Sequence, residues 1–249
     1  MLCEYTQDYL LDKKVKIYQP QDGYRASADA VLLSALVAPD FANASILDVG
    51  SGTGAVSLCL AQRLYSNSVT IHGLEIQPAL AELSNMSAKA NQFDFLHYTE
   101  FDIRSQTKLS GLAPCSFDAV VTNPPYSEHD MPSPNKSKAF AHNHQNFGLE
   151  QWLQFCLKMA KPFGRIYMVN RTEALPEICS VLHGKAGNIT VIPVYSKKGQ
   201  DSKRILVSAQ KDSKAPCRVL KPFVMHTADG EYTASAQKIL RKGLSFMEI

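Results

Sequence analysis

A short apolar run, Ser45-Ile46-Leu47-Asp48-Val49, leads directly into Gly50-Ser51-Gly52-Thr53-Gly54. Val56, Leu58, Leu60 and Leu64 follow in a helical stretch. A strand that meets three alternating glycines and then a helix brings bare backbone close to a ligand at the helix N-terminus. A side chain at Gly50 or Gly52 is expected to occupy the space that ligand needs. The turn alone leaves the ligand open. Gly50-x-Gly52-x-x-Ala55 also fits a dinucleotide fingerprint, and a glycine-rich turn without a ligand remains an alternative.

The same alternation continues downstream. Val69–Leu74 reads as the next strand, and Pro78 opens a helix to about Asn91, where its missing N–H is no loss. Phe117–Thr122 is a strand stopped by Asn-Pro-Pro. Leu149–Met159 carries helical spacing in Leu149, Trp152, Leu153, Cys156 and Leu157. Arg165–Val169 follows a Pro162-Phe163-Gly164 turn, and Ile189–Val194 with Arg204–Ala209 form a closing antiparallel hairpin. Strands alternating with helices imply parallel βαβ units. The expected class is α/β: a doubly wound sheet, mostly parallel, with one antiparallel strand in a C-terminal hairpin. Residues 1–44, with an amphipathic stretch at Ala28–Val37, are expected to form a substrate or cofactor lid. Residues 45–210 form the core. Residues 211–249 form a tail packed on it, with an apolar run at Pro222–Met225 and a final basic helix. All three parts are expected in one structural domain.

Composition narrows the setting. The 249 residues are 45% apolar and 20% charged, which excludes a mostly disordered chain. No uninterrupted apolar run reaches the ~18 residues of a membrane span. The start, Met-Leu-Cys-Glu-Tyr, lacks the basic and apolar regions of a signal peptide. Cysteines 3, 59, 115, 156, 179 and 217 show no zinc-type pairing, so reduced thiols in a cytoplasmic protein are expected. Net charge is +3 but unevenly spread. Residues 1–125 hold 8 Lys+Arg against 13 Asp+Glu, and residues 126–249 hold 18 against 10. A basic C-terminal half suits a polyanion, although a solvated lysine-rich face gives the same counts.

Two further features carry chemistry. Glu75 ends the second strand, 21 residues after Gly54, where a carboxylate accepts both hydroxyls of a ribose. Its other reading is a helix N-terminal acid. Asp102, in Phe101-Asp102-Ile103, stands where it can accept from an adenine amine, or it is a surface turn acid. Asn123-Pro124-Pro125-Tyr126 then closes a strand at the edge where open α/β sheets bind ligands. Prolines end any ladder. An Asn side-chain carbonyl and a Pro main-chain carbonyl together accept both protons of a planar amine, and Tyr126 offers a face for stacking.

Asp48-x-Gly50-x-Gly52-x-Gly54, the acid Glu75 and Asn123-Pro124-Pro125-Tyr126 resemble the class I S-adenosylmethionine methyltransferases that modify planar nitrogen groups. The flanks are similar to the tRNA adenine-N(6) methyltransferases acting on the adenosine 3′ of the valine anticodon. These are Asp8-Tyr9-Leu10-Leu11, Val15–Gln19, Gly23–Leu33, Ala141-His142, Lys203–Val207 and His226–Thr233. The resemblance implies a Rossmann-like methyltransferase sheet and S-adenosylmethionine as cofactor, held by Asp48, Gly50, Gly52, Glu75, Asp102, Ile103 and Asn123. It implies catalysis by Asn123, Pro124 and Tyr126. Lys197, Lys198, Lys203 and Arg204 would hold tRNA phosphates, with Arg204 alternatively paired to an internal acid. A guanine amine in ribosomal RNA or a protein glutamine amide is the competing substrate. No protein partner is implied. His142 and His144 flank Asn143 without an acid or cysteine at ligand spacing, so no metal is expected.

Overall fold

The computed structural model describes residues 4–23, 25–38, 42–65, 68–105, 112–125 and 147–249. The chain opens with an antiparallel hairpin, β1 (Tyr5–Leu10) and β2 (Val15–Pro20). Helix α1 (Ala28–Leu36) follows, its first turn capped by the Ser27 hydroxyl, which accepts from Asp29 N. The core then runs β3 (Ser45–Val49), α2 (Ala55–Arg63), β4 (Thr70–Glu75), α3 (Pro78–Ala90), β5 (Leu96–Glu100), β6 (Phe117–Thr122), α4 (Leu149–Met159), β7 (Ala160–Arg171), α5 (Leu175–Leu182), β8 (Ala186–Lys197) and β9 (Arg204–Lys211). Two short strands, β10 (Arg218–Val219) and β11 (Phe223–His226), precede a final turn of helix, α6 (Ala234–Gln237), which widens into a π-turn at Lys238–Lys242.

The main sheet has the order β10-β8-β9-β7-β6-β3-β4-β5, with β11 also on β8. Every pairing is parallel except those of β9, which lies antiparallel to both β7 and β8. The expected class therefore holds. The sheet is covered on both faces, as the alternation along each strand requires. Ile46 and Ile71 pack with α1, α2 and the hairpin's Val15 and Ile17. Leu47, Val49 and Leu74 pack with Leu153, Cys156 and Leu157 of α4 and Ile178 of α5.

Three differences from the sequence reading have physical causes. The β1–β2 hairpin turns through Leu11, Asp12 and Lys13 at positive φ without the glycine or asparagine that usually marks such a turn. The Pro162-Phe163-Gly164 segment lies inside β7, where the pairing register with β6 shifts between Phe117 and Ala119; it is a bulge rather than a strand start. The apolar run Pro222–Met225 falls largely in β11, so the tail contributes strands to the sheet as well as packing on it. Among the described residues no helix is long and apolar enough to cross a membrane.

Candidate active site at the switch point of the sheet

Strand order reverses beside β3: β4 and β5 lie to one side and β6 to the other. Open α/β sheets bind ligands at the carboxyl edge of such a point. The β3–β6 register pairs Val49 with Thr122, so the glycine turn after β3 and Asn123-Pro124 after β6 leave the same edge side by side. Pro124 is buried and Asn123 half-buried.

The glycine turn is tied across β4. Gly50 N and Ser51 N both donate to Leu74 O at 2.9 Å. Gly52 N donates to Glu75 Oε2 at 2.8 Å, and Gln77 N donates to Glu75 Oε1 at 2.9 Å. Glu75 is only 5% exposed. Burial raises its pKa, and the bonds from Gln77 and Gly52 oppose that rise. Each carboxylate oxygen keeps a further lone-pair position after these bonds. The Ser51 and Thr53 hydroxyls are buried and have no protein partner among the described residues. The N-terminus of α2 starts at Gly54 (φ 78°) with no side-chain cap, leaving its first-turn amides for an outside acceptor. A ligand with a diol and a carboxylate fits this set of groups.

Asp48 is placed differently from the turn it introduces. It is 1% exposed and accepts from the Ser57 hydroxyl at 2.5 Å. Burial pushes its pKa from 3.8 up to about 7, against the pull of the Ser57 bonds. It supports the turn from beneath, as do Tyr98, whose hydroxyl donates to Gly54 O at 3.1 Å, and Ser84, which donates to Gly52 O at 3.0 Å. One consequence is measurable. Between pH 4 and 7 the folded chain keeps a proton that the unfolded chain has lost. The contribution of Asp48 to stability is fullest below this window and falls as pH rises through it, with a slope of up to ~1.4 kcal/mol per pH unit. Urea unfolding at several pH values should show this fall in the wild type and a flatter profile in Asp48→Asn. Equal slopes would exclude Asp48 as its source.

Trp152, read from the sequence only as part of a helical stripe, reaches this edge from α4. Its indole Nε1 donates to Thr122 Oγ1 at 2.7 Å, and Thr122 Oγ1 donates to Val49 O at 2.8 Å. Its ring lies over Gly50: a Cβ there would stand 2.6 Å from Trp152 Cζ2. The space beside Gly50 is thus taken by a protein side chain. Phe147 meets the same indole edge-on at 6.3 Å between centroids. The spacing of α4 already gave Trp152 an inward face, but no local signal paired it with residues 50 and 122.

The remaining candidates divide. Asp102 follows β5 by two residues and holds Arg104: Oδ1 accepts from Arg104 Nε at 2.7 Å and Oδ2 from Nη2 at 2.9 Å. Any ligand bond at Asp102 shares the carboxylate with this pair. Ile103 is partly buried against the α4 side of the sheet. Arg204 takes the internal pairing, its Nε donating to Asp29 Oδ2 at 2.5 Å. Lys198 and Lys203 are exposed, and Lys197 Nζ donates to Ala228 O at 3.0 Å. Tyr126, His142 and His144 lie outside the described residues. Among the described residues no group of three His, Cys, Asp or Glu is placed to hold a metal ion.

Residues 26–147 match the family model for the methyltransferase small domain. A curated relative from Actinobacillus succinogenes, named tRNA1(Val) (adenine(37)-N6)-methyltransferase, is 30% identical over 81% of this chain and 83% of its own length. A relative of the same name from Haemophilus influenzae is 28% identical over 92% of this chain and 95% of its own. One from Porphyromonas gingivalis is 29% identical over 67% of this chain, and the match spans 66% of that protein. In shape, the chain is similar to a crystal structure from Agrobacterium tumefaciens described as a predicted O-methyltransferase. The TM-score is 0.72 at 24% identity, covering 88% of this chain and 98% of that one, and it speaks to the fold alone. On the strength of these matches, the chain belongs to the tRNA1(Val) (adenine(37)-N6)-methyltransferase family.

Proposed function

We propose that this protein transfers a methyl group from S-adenosylmethionine to N6 of the adenine beside the anticodon of a valine tRNA, in the cytoplasm. The observation that carries the reading is the β3–β6 register, which sets Asn123-Pro124 next to the glycine turn. The substrate is that for which the relatives are named.

S-adenosylmethionine brings a sulfonium-bound methyl group, already electrophilic enough to need no metal. Glu75 would hold its ribose hydroxyls, the α2 N-terminus its carboxylate, and Asp102 with Ile103 the rim of its adenine. The target amine is a weak nucleophile because its lone pair is delocalised into the ring. The Asn123 side-chain carbonyl and the Pro124 main-chain carbonyl accept its two N–H bonds. Acceptors out of the ring plane would draw the nitrogen toward tetrahedral geometry and free its lone pair to take the methyl group, with the sulfur keeping the C–S electron pair and leaving as a neutral thioether. Positioning of this kind supplies ~7–11 kcal/mol. The nitrogen loses its proton to solvent after attack, so no side chain is assigned as base. Tyr126 stacks on the target base. A base must be unpaired to reach this edge, and an anticodon loop supplies one. Lys197, Lys198 and Lys203 hold the phosphates.

Incubation with total tRNA, ribosomal RNA and protein substrates, followed by mass spectrometry, tests the reading. N6-methyladenosine confined to tRNA supports it; a methylated guanine or glutamine instead would overturn it. Glu75→Ala is expected to weaken cofactor binding by ~1.5–3 kcal/mol, the range for hydrogen bonds to a charged group. Trp152, the one tryptophan in the sequence, lies over the turn and gives a fluorescence readout for that titration. Unchanged affinity removes Glu75 from the cofactor site.

A further inference from the structure

We infer that the outward face of the β1–β2 hairpin is a stacking platform for unpaired nucleotides of the RNA substrate, an inference that rests on the tRNA reading above. Side chains alternate across a strand pair. Val15 and Ile17 point into the core, and Tyr5, Gln7 and Tyr9 of β1 point outward. The register pairs Gln7 with Tyr18 and Tyr9 with Lys16, so three tyrosines, a glutamine and a lysine share one face. Tyr5 and Tyr9 are 43% and 45% exposed, too open for core packing.

These rings are held rather than loose. Tyr5 and Tyr18 meet edge-to-face at 5.7 Å and 87°. Gln7 links Tyr9 to Tyr18: its Nε2 donates to the Tyr9 hydroxyl at 2.7 Å, and the Tyr18 hydroxyl donates to its Oε1 at 3.4 Å. The backbone beneath is fixed to α3, with Asn91 Nδ2 donating to Lys16 O at 2.7 Å and Tyr18 N donating to Ser87 Oγ at 2.9 Å. Rings fixed in advance lose little conformational entropy when a base stacks on them. Tyr5 and Tyr9, four residues apart on a strand, lie ~14 Å from each other, a reach that suits splayed nucleotides.

Charge and position favour RNA over a protein partner. Lys13, Lys14 and Lys16 lie at the turn end of the face against Asp12, while Glu4 and Asp22 are exposed at the opposite end, so the positive charge is confined to the turn end. Lys14 Nζ donates to Lys242 O at 3.1 Å, which brings the exposed Arg241 and Lys242 of the π-turn to the same end. At the other end, Pro20 accepts from Arg25 Nη1 at 3.0 Å, and the chain passes into α1. There Asp29 pairs with Arg204, which stands opposite Arg171 at the carboxyl edge of β7. The platform therefore begins at the rim that carries the active site and runs toward a basic turn. Aromatic faces interleaved with positive charge bind single strands through stacking and phosphate contact together.

The test is binding of an anticodon stem-loop RNA and of a blunt duplex of equal length. It uses the full-length protein, Tyr5→Ala/Tyr9→Ala and Tyr5→Phe/Tyr9→Phe. The alanine pair is expected to lose about ten-fold in stem-loop affinity, with duplex affinity and salt slope unchanged. Its KM for tRNA should rise while kcat and cofactor affinity stay at wild-type values. The phenylalanine pair, which keeps the rings, should bind as wild type does. Equal stem-loop affinity in the alanine pair, in a wild type that methylates tRNA, overturns the platform alone. So does wild-type self-association that the alanine pair abolishes, since the face would then be covered by a second copy. A wild type that neither binds nor methylates tRNA overturns both readings.

Discussion

Asn123→Ala is expected to lower the rate of methyl transfer by at least ~10²-fold, the scale for losing one preorganised group that acts on developing charge, with cofactor affinity largely intact. The substitution is local. Thr122, just before it, is fully buried and locked between Val49 O and the Trp152 indole, so the main chain that presents Pro124 O stays where it is. What would disappear is one of the two acceptors proposed to shape the amine. Asn123→Asp keeps an oxygen acceptor at the same point and is expected to retain more activity than the alanine variant. Single-turnover kinetics with saturating cofactor and tRNA make the comparison. A wild-type rate in Asn123→Ala would remove the amine cradle from the mechanism.

Gly50→Ala should be a damaging single methyl group at the site. Gly50 sits at φ 72°, a conformation that strains any L side chain, and its new Cβ would lie 2.6 Å from Trp152 Cζ2 and 2.8 Å from Cη2. Backbone strain and overpacking each cost ~1–3 kcal/mol, so a combined loss of about 2–6 kcal/mol is expected. Cofactor binding should suffer with it, because Gly50 N is one of the ties that hold the turn to Leu74. Trp152→Phe removes the two indole atoms concerned. Gly50→Ala/Trp152→Phe should therefore be less impaired than the sum of its parts, a coupling that a double-mutant cycle reads directly. Strict additivity would mean that the indole does not press on the turn.

Periodicity made the central layers legible. Ser45–Val49, Phe117–Thr122 and Leu149–Met159 are found with the bounds their patterns suggest, because buried strands and an amphipathic helix are the elements in which local pattern and tertiary burial agree. The hairpin at the N-terminus was not legible, since its turn carries Leu11, Asp12 and Lys13 where glycine is the usual sign. Within the site, the glycines, Glu75 and Asn123 stood out by residue type and spacing. Trp152, Thr122 and Tyr98 did not, because their contributions are contacts between segments remote in the chain. Arg204 was visible as a charge, yet its pairing with Asp29 spans 175 positions and leaves no trace in local composition.

The place of β9 has a bearing on how the chain is made. Although β8 precedes it in sequence, β8 has no direct pairing with β7; β9 lies between them and bonds to both. A growing polypeptide that has exposed β8 but not yet Arg204–Lys211 leaves one edge of β7 and both edges of β8 unpaired. Such edges are templates for pairing with other chains. Arrival of the single antiparallel strand seals the β7 edge and the near edge of β8 at once, and β10 and β11 then cover the far side of β8. The stretch of synthesis during which the β7 edge waits for its partner is thus lengthened by β8, by the few residues that separate Lys197 from Arg204, and by the strand that follows them.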